Sequence, residues 1–209
     1  MRHRAGACGR SAVPHAGRSR GQRRARIRAG GLTAGPTPDT GARLRPPARA
    51  DGPALRDLVA RCPPLDLNSV YLYLLLAEHF SDTCILAEDA AGLLGMATGY
   101  RPPGRDDTLF VWQVAVDPRA RGRGLGLGML LGLLSRRAPR PARWIETTVG
   151  PANRASRRLF SRLAARLGAP LGETALFDAA LFGADAHEAE PLLRIGPLTP
   201  PVPGADRIP

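Results

Sequence analysis

The stretch from Val114 to Gly126 limits the possible folds most tightly. Residues 108–116, TLFVWQVAV, are rich in β-branched and aromatic side chains and predict a strand. Asp117-Pro118 ends it, a turn of arginines and glycines follows, and residues 125–137 form an apolar helix closed by Pro139 and Pro141. A strand that runs through so short a turn into a buried helix implies α/β layering. The N-terminus of such a helix carries unpaired N–H groups and partial positive charge, so the turn is built to hold an anion. Glycine lets backbone approach that anion closely, and Arg121 and Arg123 add charge. The bland alternative is a glycine-rich turn ahead of a core helix. Two rival phosphate motifs fail. Glycines fall at 122, 124, 126 and 128, which gives no G-x-G-x-x-G, and a Walker A needs lysine. All 30 basic residues are arginine, which also rules out Schiff-base chemistry on a lysine.

The rest of the chain organises around this unit. Residues 43–45 predict a short first strand. Residues 50–60 predict a helix with Asp51 as N-cap and Pro53 in its first turn, stopped by Cys62-Pro63-Pro64. Asn68 or Ser69 caps a second, strongly apolar helix that runs to about Phe80. Residues 83–88 and 93–100, joined by Asp89-Ala90-Ala91-Gly92, read as a hairpin, and residues 143–149 as another strand. Residues 153–167 carry Ala155, Leu159, Phe160, Leu163 and Leu167 on one helical stripe, with arginines opposite and Gly168 as C-cap. A last strand is expected at 192–195. The order is β-α-α-β-β-β-α-β-α, then a mostly extended tail.

Charge sets the domain limits. Of the net +12, residues 1–49 supply +11, from 12 arginines against Asp39 alone. Residues 1–41 are dense in Arg, Gly, Pro and Ser without apolar periodicity, and are expected to be a disordered extension. A nucleic-acid-binding arm or an organellar presequence is the competing reading. The first is disfavoured because no aromatic residue precedes Tyr71 to stack on bases. The folded domain is expected over residues 42–198, with a proline-rich tail over 199–209. No stretch reaches the length of a membrane span, so no membrane partner is expected. Cys8, Cys62 and Cys84 lack metal-ligand spacing, so no metal is expected, and they read as free thiols of a cytoplasmic protein.

Two motifs then carry a resemblance. Arg121, Gly124 and Gly126 match the R/Q-x-x-G-x-G/A signature of the GNAT acetyltransferases, after a V-A-V-x-P strand end. Residues 151–160, PANRASRRLF, resemble that family's second motif, in which Asn opens a helix and a Leu-aromatic pair follows. The resemblance implies a single α/β domain with a mixed central sheet splayed between its fourth and fifth strands and helices on both faces. It implies acetyl-coenzyme A as co-substrate. Its pantetheine arm would pair with Val114, Ala115 and Val116, and its pyrophosphate would lie on the N–H groups of Arg121, Gly122, Arg123, Gly124, Leu125 and Gly126. Asn153 would contact it from the second helix. One departure stands out: Phe160 occupies the place of a tyrosine that protonates the leaving thiolate in many members, so another group does this or the thiolate leaves unprotonated.

Residues 63–71 (PPLDLNSVY), 99–103 (GYRPP), 111–116 (VWQVAV) and 146–149 (ETTV) resemble, more narrowly, the L-2,4-diaminobutyrate acetyltransferases of ectoine biosynthesis. An acceptor with two ammonium groups and one carboxylate calls for acids and a base. Asp66, Glu188 and Glu190 are candidate acids, Arg101 the candidate carboxylate holder, and Asn68, Tyr71 and Trp112 complete the expected acceptor set. Each has a structural alternative: Asp66 as a helix cap, Tyr71 and Trp112 as core, Glu188 and Glu190 as solvated acids; Glu146, on a strand face with Trp144 and Thr148, reads as a buried base or a structural acid. Glu146 and Glu190 are the candidate bases, since an alkylammonium must lose a proton before it attacks. A homodimer is compatible with the sequence. The rivals are acetylation of another small amine or a protein N-terminus, and, outside enzymes, a basic nucleic-acid-binding protein.

Overall fold

The computed structural model describes residues 41–136, 141–183 and 187–199, all within one unit, Ala34–Pro209. The expected extension therefore lies, but for Gly41, outside the described residues, as does the expected tail beyond Thr199. The strands are β1 (Arg43–Arg45), β2 (Ile85–Asp89), β3 (Gly92–Tyr100), β4 (Thr108–Val116), β5 (Trp144–Thr148), β6 (Leu171–Phe177) and β7 (Glu190–Ile195). The helices are α1 (Gly52–Ala60), α2 (Val70–His79), α3 (Leu125–Ser135) and α4 (Arg154–Leu167). The strands form one sheet in the order β1-β2-β3-β4-β5-β7-β6. Only β4 and β5 run parallel; every other neighbouring pair is antiparallel.

Both faces of the sheet are covered, as expected. Under α3 and α4 lie Ile85, Leu109, Val111, Met129, Leu130, Ile145, Phe160 and Leu163. Under α1 and α2 lie Leu55, Leu58, Tyr73, Leu86, Met96 and Ala115. Complete burial of a side chain such as Leu163 contributes about 1.5–3 kcal/mol.

Three local features depart from the sequence reading. Asp51 opens α1 without capping it through its side chain. Its carboxylate instead takes both Arg45 Nη groups, at 2.7 and 2.8 Å, while Arg45 Nε donates to Glu88 at 2.8 Å. The Asp51 carboxylate also accepts from Ala48 N at 2.7 Å, so its oxygens are taken by groups that precede the helix. Strand β6 was not expected. All seven of its residues are exposed, so it lacks the buried face that would write an alternating pattern. Finally, β4 carries a bulge. Thr98 pairs with Gln113 and Gly99 with Val111, so Trp112 is an extra residue. The bulge moves Trp112 out of the packed rows and leaves it 36% exposed.

Candidate active site

The parting of β4 from β5 creates the site. The two strands are in register from Thr108↔Trp144 to Phe110↔Glu146 and pair no further, whereas β4 stays paired to β3 as far as Val116. Beyond that fork lies a cavity of about 500 Å³. It is lined by Val114, Ala115 and Val116, by residues 62–65 after α1, by the turn into α3, and by Asn153, Ser156, Arg158 and Arg162 of α4. Of the residues expected to hold the co-substrate, all but Arg123 line this cavity.

The local conformation explains the sequence of the turn. Gly122 and Gly124 have φ of +79° and +77°, which side-chain-bearing residues rarely adopt, and Gly124 is the N-cap of α3. No side chain caps α3, so its first N–H groups face the cavity side of the turn unclaimed by a cap. Arg121 Nε donates to the Val116 carbonyl at 3.1 Å, and Cys62 Sγ lies 3.3 Å from the same oxygen. Asn153 caps α4, its Oδ1 accepting from Ser156 N at 3.1 Å, and so fixes where that helix begins on the cavity wall. These donors, this space and this open strand edge fit a phosphate-bearing, extended thioester. Phe160 is 2% exposed in the core under α4 and presents no polar atom.

The acceptor candidates fall into three groups. Gln113 Nε2 donates to the Asp66 carbonyl at 3.0 Å, which lays residues 66–68 across β4 beside the bulge. Because a carbonyl only accepts, this bond also fixes the amide orientation, and Gln113 Oε1 is buried without a hydrogen-bond partner. Asn68 Nδ2 donates to the same Asp66 carbonyl at 3.2 Å, and Tyr71 is 67% exposed. In the second group, Thr148 Oγ1 donates to Glu190 Oε2 at 2.5 Å, and His187 Nε2 lies 4.0 Å from the other Glu190 oxygen. His187, not singled out in the sequence, is stacked on Phe182 with ring centroids 4.0 Å apart. In the third group, Glu146 is 2% exposed and Arg105 Nη1 donates to both its oxygens, at 2.9 and 2.7 Å. Arg194 Nε lies 3.3 Å from Oε1 of the same residue.

Two expected acceptor residues make hydrogen bonds to nearby backbone. Both Glu188 oxygens accept from Ala152 N, at 3.2 and 3.1 Å, and the carboxylate packs over Gly150, where a Cβ would meet Oε1 at 2.0 Å. Glu188 thus ties the segment before β7 to the start of α4. Arg101 donates to the Asp106 carbonyl across its own loop. Glu146, expected as a base, has both oxygens occupied by guanidinium groups.

Comparison with known proteins agrees with this geometry. Residues 52–165 match the acetyltransferase (GNAT) family. An L-2,4-diaminobutyric acid acetyltransferase of Bordetella parapertussis is 54% identical over 159 residues, covering 76% of this chain and 86% of that protein. One from Methylotuvimicrobium alcaliphilum is 45% identical over 154 residues, covering 74% and 90%. A diaminobutyrate acetyltransferase from Paenibacillus lautus, solved in complex with its substrate L-2,4-diaminobutyric acid and coenzyme A, superposes with a TM-score of 0.72 at 42% identity, covering 75% of this chain and 95% of that one. The forked β4–β5 pair, the uncapped helix behind positive-φ glycines and the family match over most of the folded residues lead to one assignment: this chain belongs to the GNAT acetyltransferase family.

Proposed function

We infer that the chain transfers the acetyl group of acetyl-coenzyme A to the 4-amino group of L-2,4-diaminobutyric acid, the acetylation step of ectoine biosynthesis. The observation that carries this reading is the pairing of the two halves of the site. A cavity fitted to the co-substrate runs along the end of β4 that has left β5, and Glu190 stands on Thr148 of β5, just past the point where those strands separate. Relatives that are 54% and 45% identical over 159 and 154 residues bear this activity in their names.

The chemistry follows from the groups in place. The co-substrate supplies a thioester carbonyl. Backbone N–H groups of β4 near the Trp112 bulge are turned from any strand partner on the β5 side and donate to its oxygen. An amine with a pKa near ~10 arrives protonated, and Glu190, directly or through one water, removes the proton before attack. The nitrogen then bonds to the carbonyl carbon, the C–S bond breaks, and coenzyme A leaves as the thiolate, which balances the second proton that the nitrogen gives up. Thr148 holds one Glu190 oxygen as acceptor and leaves the other toward His187. Glu190 serves as the base in preference to Glu146, whose oxygens are already engaged. Asp66, Tyr71 and Trp112 are the groups proposed to receive an ammonium, one as an acid and two as exposed aromatic faces. Dependence on acetyl-coenzyme A supports a cytoplasmic location.

The test is mass analysis of the product formed from acetyl-coenzyme A and L-2,4-diaminobutyrate. One added acetyl group is expected, with fragmentation locating it on the 4-nitrogen. L-2-aminobutyrate, which lacks that amine, is expected to react at least about a thousandfold less well in kcat/KM. Comparable turnover of the two would defeat the reading.

A further inference from the structure

Residues 66–68 lead from the turn after α1 toward α2 and belong to neither helix nor strand. Among the described residues they make no backbone–backbone hydrogen bond. Two side-chain amides hold them instead, both on the Asp66 carbonyl. The Asn68 amide lies within the same segment and ties it to nothing else. Gln113 Nε2, 47 residues away on β4, is the hydrogen bond that joins the segment to the sheet. The start of the same loop is pinned too, since Cys62 Sγ lies 3.3 Å from the Val116 carbonyl. Residues 62 and 66 thus meet β4 at 116 and 113, and the loop runs antiparallel along that strand. Its residues 62–65 line the co-substrate cavity, and residue 66 reaches the strand next to the Trp112 bulge.

Gln113 is a costly way to make one bond. It is buried, and alternation along β4 puts it with Ala115 on the face under α1 and α2. Its Oε1 is buried without a hydrogen-bond partner. Turning the amide over brings no gain, because Oε1 would then face the Asp66 carbonyl, acceptor against acceptor. A desolvated, unpaired carbonyl oxygen generally costs at least as much as one hydrogen bond to an exposed segment returns. An apolar side chain of the same length would therefore serve the fold as well or better. What the amide adds is the placement of residues 66–68. We propose that Gln113 is a positioning residue for the acceptor, pinning residues 66–68 to β4 between the Trp112 bulge and the co-substrate residues Val114–Val116. It acts through the backbone of Asp66 and touches neither substrate. The inference rests on the proposed acceptor.

The experiment measures Tm and the KM values for L-2,4-diaminobutyrate and acetyl-coenzyme A in the full chain, in Gln113→Met and in Gln113→Glu. Gln113→Met keeps the length and removes both the donor and the unpaired oxygen. It should melt at or above the parent while its KM for diaminobutyrate rises about five- to tenfold, the worth of one hydrogen bond, with the KM for acetyl-coenzyme A nearly unchanged. Gln113→Glu keeps the shape, but as a carboxylate it cannot donate to the Asp66 carbonyl and should raise the acceptor KM further. Burial raises the pKa of such a carboxyl, and the protonated acid regains an O–H donor. The KM of Gln113→Glu for diaminobutyrate, relative to the parent at the same pH, should therefore fall from about pH 8 to about pH 6. The same ratio for Gln113→Met should stay flat. A parental acceptor KM in Gln113→Met overturns the inference. So does a lower Tm with both KM values raised alike, which would make Gln113 a purely structural residue. Should Gln113→Met not fold, the pH course of Gln113→Glu decides, and a flat ratio there overturns the inference. Failure of the unaltered chain to acetylate diaminobutyrate overturns the proposed function and this inference with it.

Discussion

The co-substrate half and the acceptor half of the site are built from different material. The first is backbone: an uncapped helix start, two glycines at positive φ and the open edge of β4. The second, as proposed, is side chains delivered from the loop after α1, β5 and β7. A backbone site demands particular conformations over a short contiguous stretch. A side-chain site demands particular contacts between distant stretches. The same substitution logic therefore cannot serve both.

The largest effect is expected on the acceptor side. Glu190→Gln keeps the size of the side chain and its contact with Thr148 but removes the proton acceptor, and kcat should fall by about 10²–10⁴-fold. Steady-state kinetics should show little change in the KM for acetyl-coenzyme A. A kcat within a few-fold of the parent would mean that side chains do not carry this half in the way described.

On the co-substrate side, Gly124→Val forces a β-branched residue to φ of +77° at the N-cap of α3. Strain of about 1–3 kcal/mol should weaken binding of coenzyme A by about 10–100-fold, measured by calorimetry on folded protein. Arg121→Ala, at an exposed position, should weaken it only about threefold, because surface charge contributes little. If the arginine change is the more damaging of the two, the co-substrate half depends on side chains after all.

A control lies outside both halves. Arg45 binds Asp51 and Glu88, and its hydrogen bonds hold the Asp51 carboxyl below the usual carboxylate range against the opposing effect of burial. A depressed folded-state pKa gives stability that is present above the ordinary value near ~4 and is lost as pH falls through the folded value. Arg45→Met should cost about 1–3 kcal/mol at neutral pH and show a shallower acid loss of Tm than the parent, with both KM values preserved. Thermal melts from pH 2 to about pH 7 would check this.

Legibility in the sequence followed the same division. The whole of β4, the turn and the start of α3 could be read from adjacent residues, because strand propensity, glycine placement and helix termini are local properties. Strand β6 could not, since an edge strand exposed along its full length carries no buried face. The Trp112 bulge left no local mark either; it appears only once β3 is laid beside β4. Asp66, Tyr71, Trp112 and Glu190 are named through family resemblance, and the one contact that ties Glu190 to the fork, with Thr148, spans 42 residues. The contact of Glu188 was hidden for the same reason: its partner, the Ala152 N–H, lies 36 residues earlier and is invisible to composition.

The fork between β4 and β5 has a further consequence, for the rates at which backbone protons exchange with solvent. Past Phe110, alternate amides of β4 turn away from β3 and meet no strand among the described residues. In the chain without co-substrate these amides should exchange with deuterium far faster than their neighbours facing β3, within a strand whose side chains are largely buried. An extended thioester arm with its own amide groups would act as a missing half-strand and slow them. The strand at the centre of the sheet would then report occupancy residue by residue, in a pattern that alternates along its length.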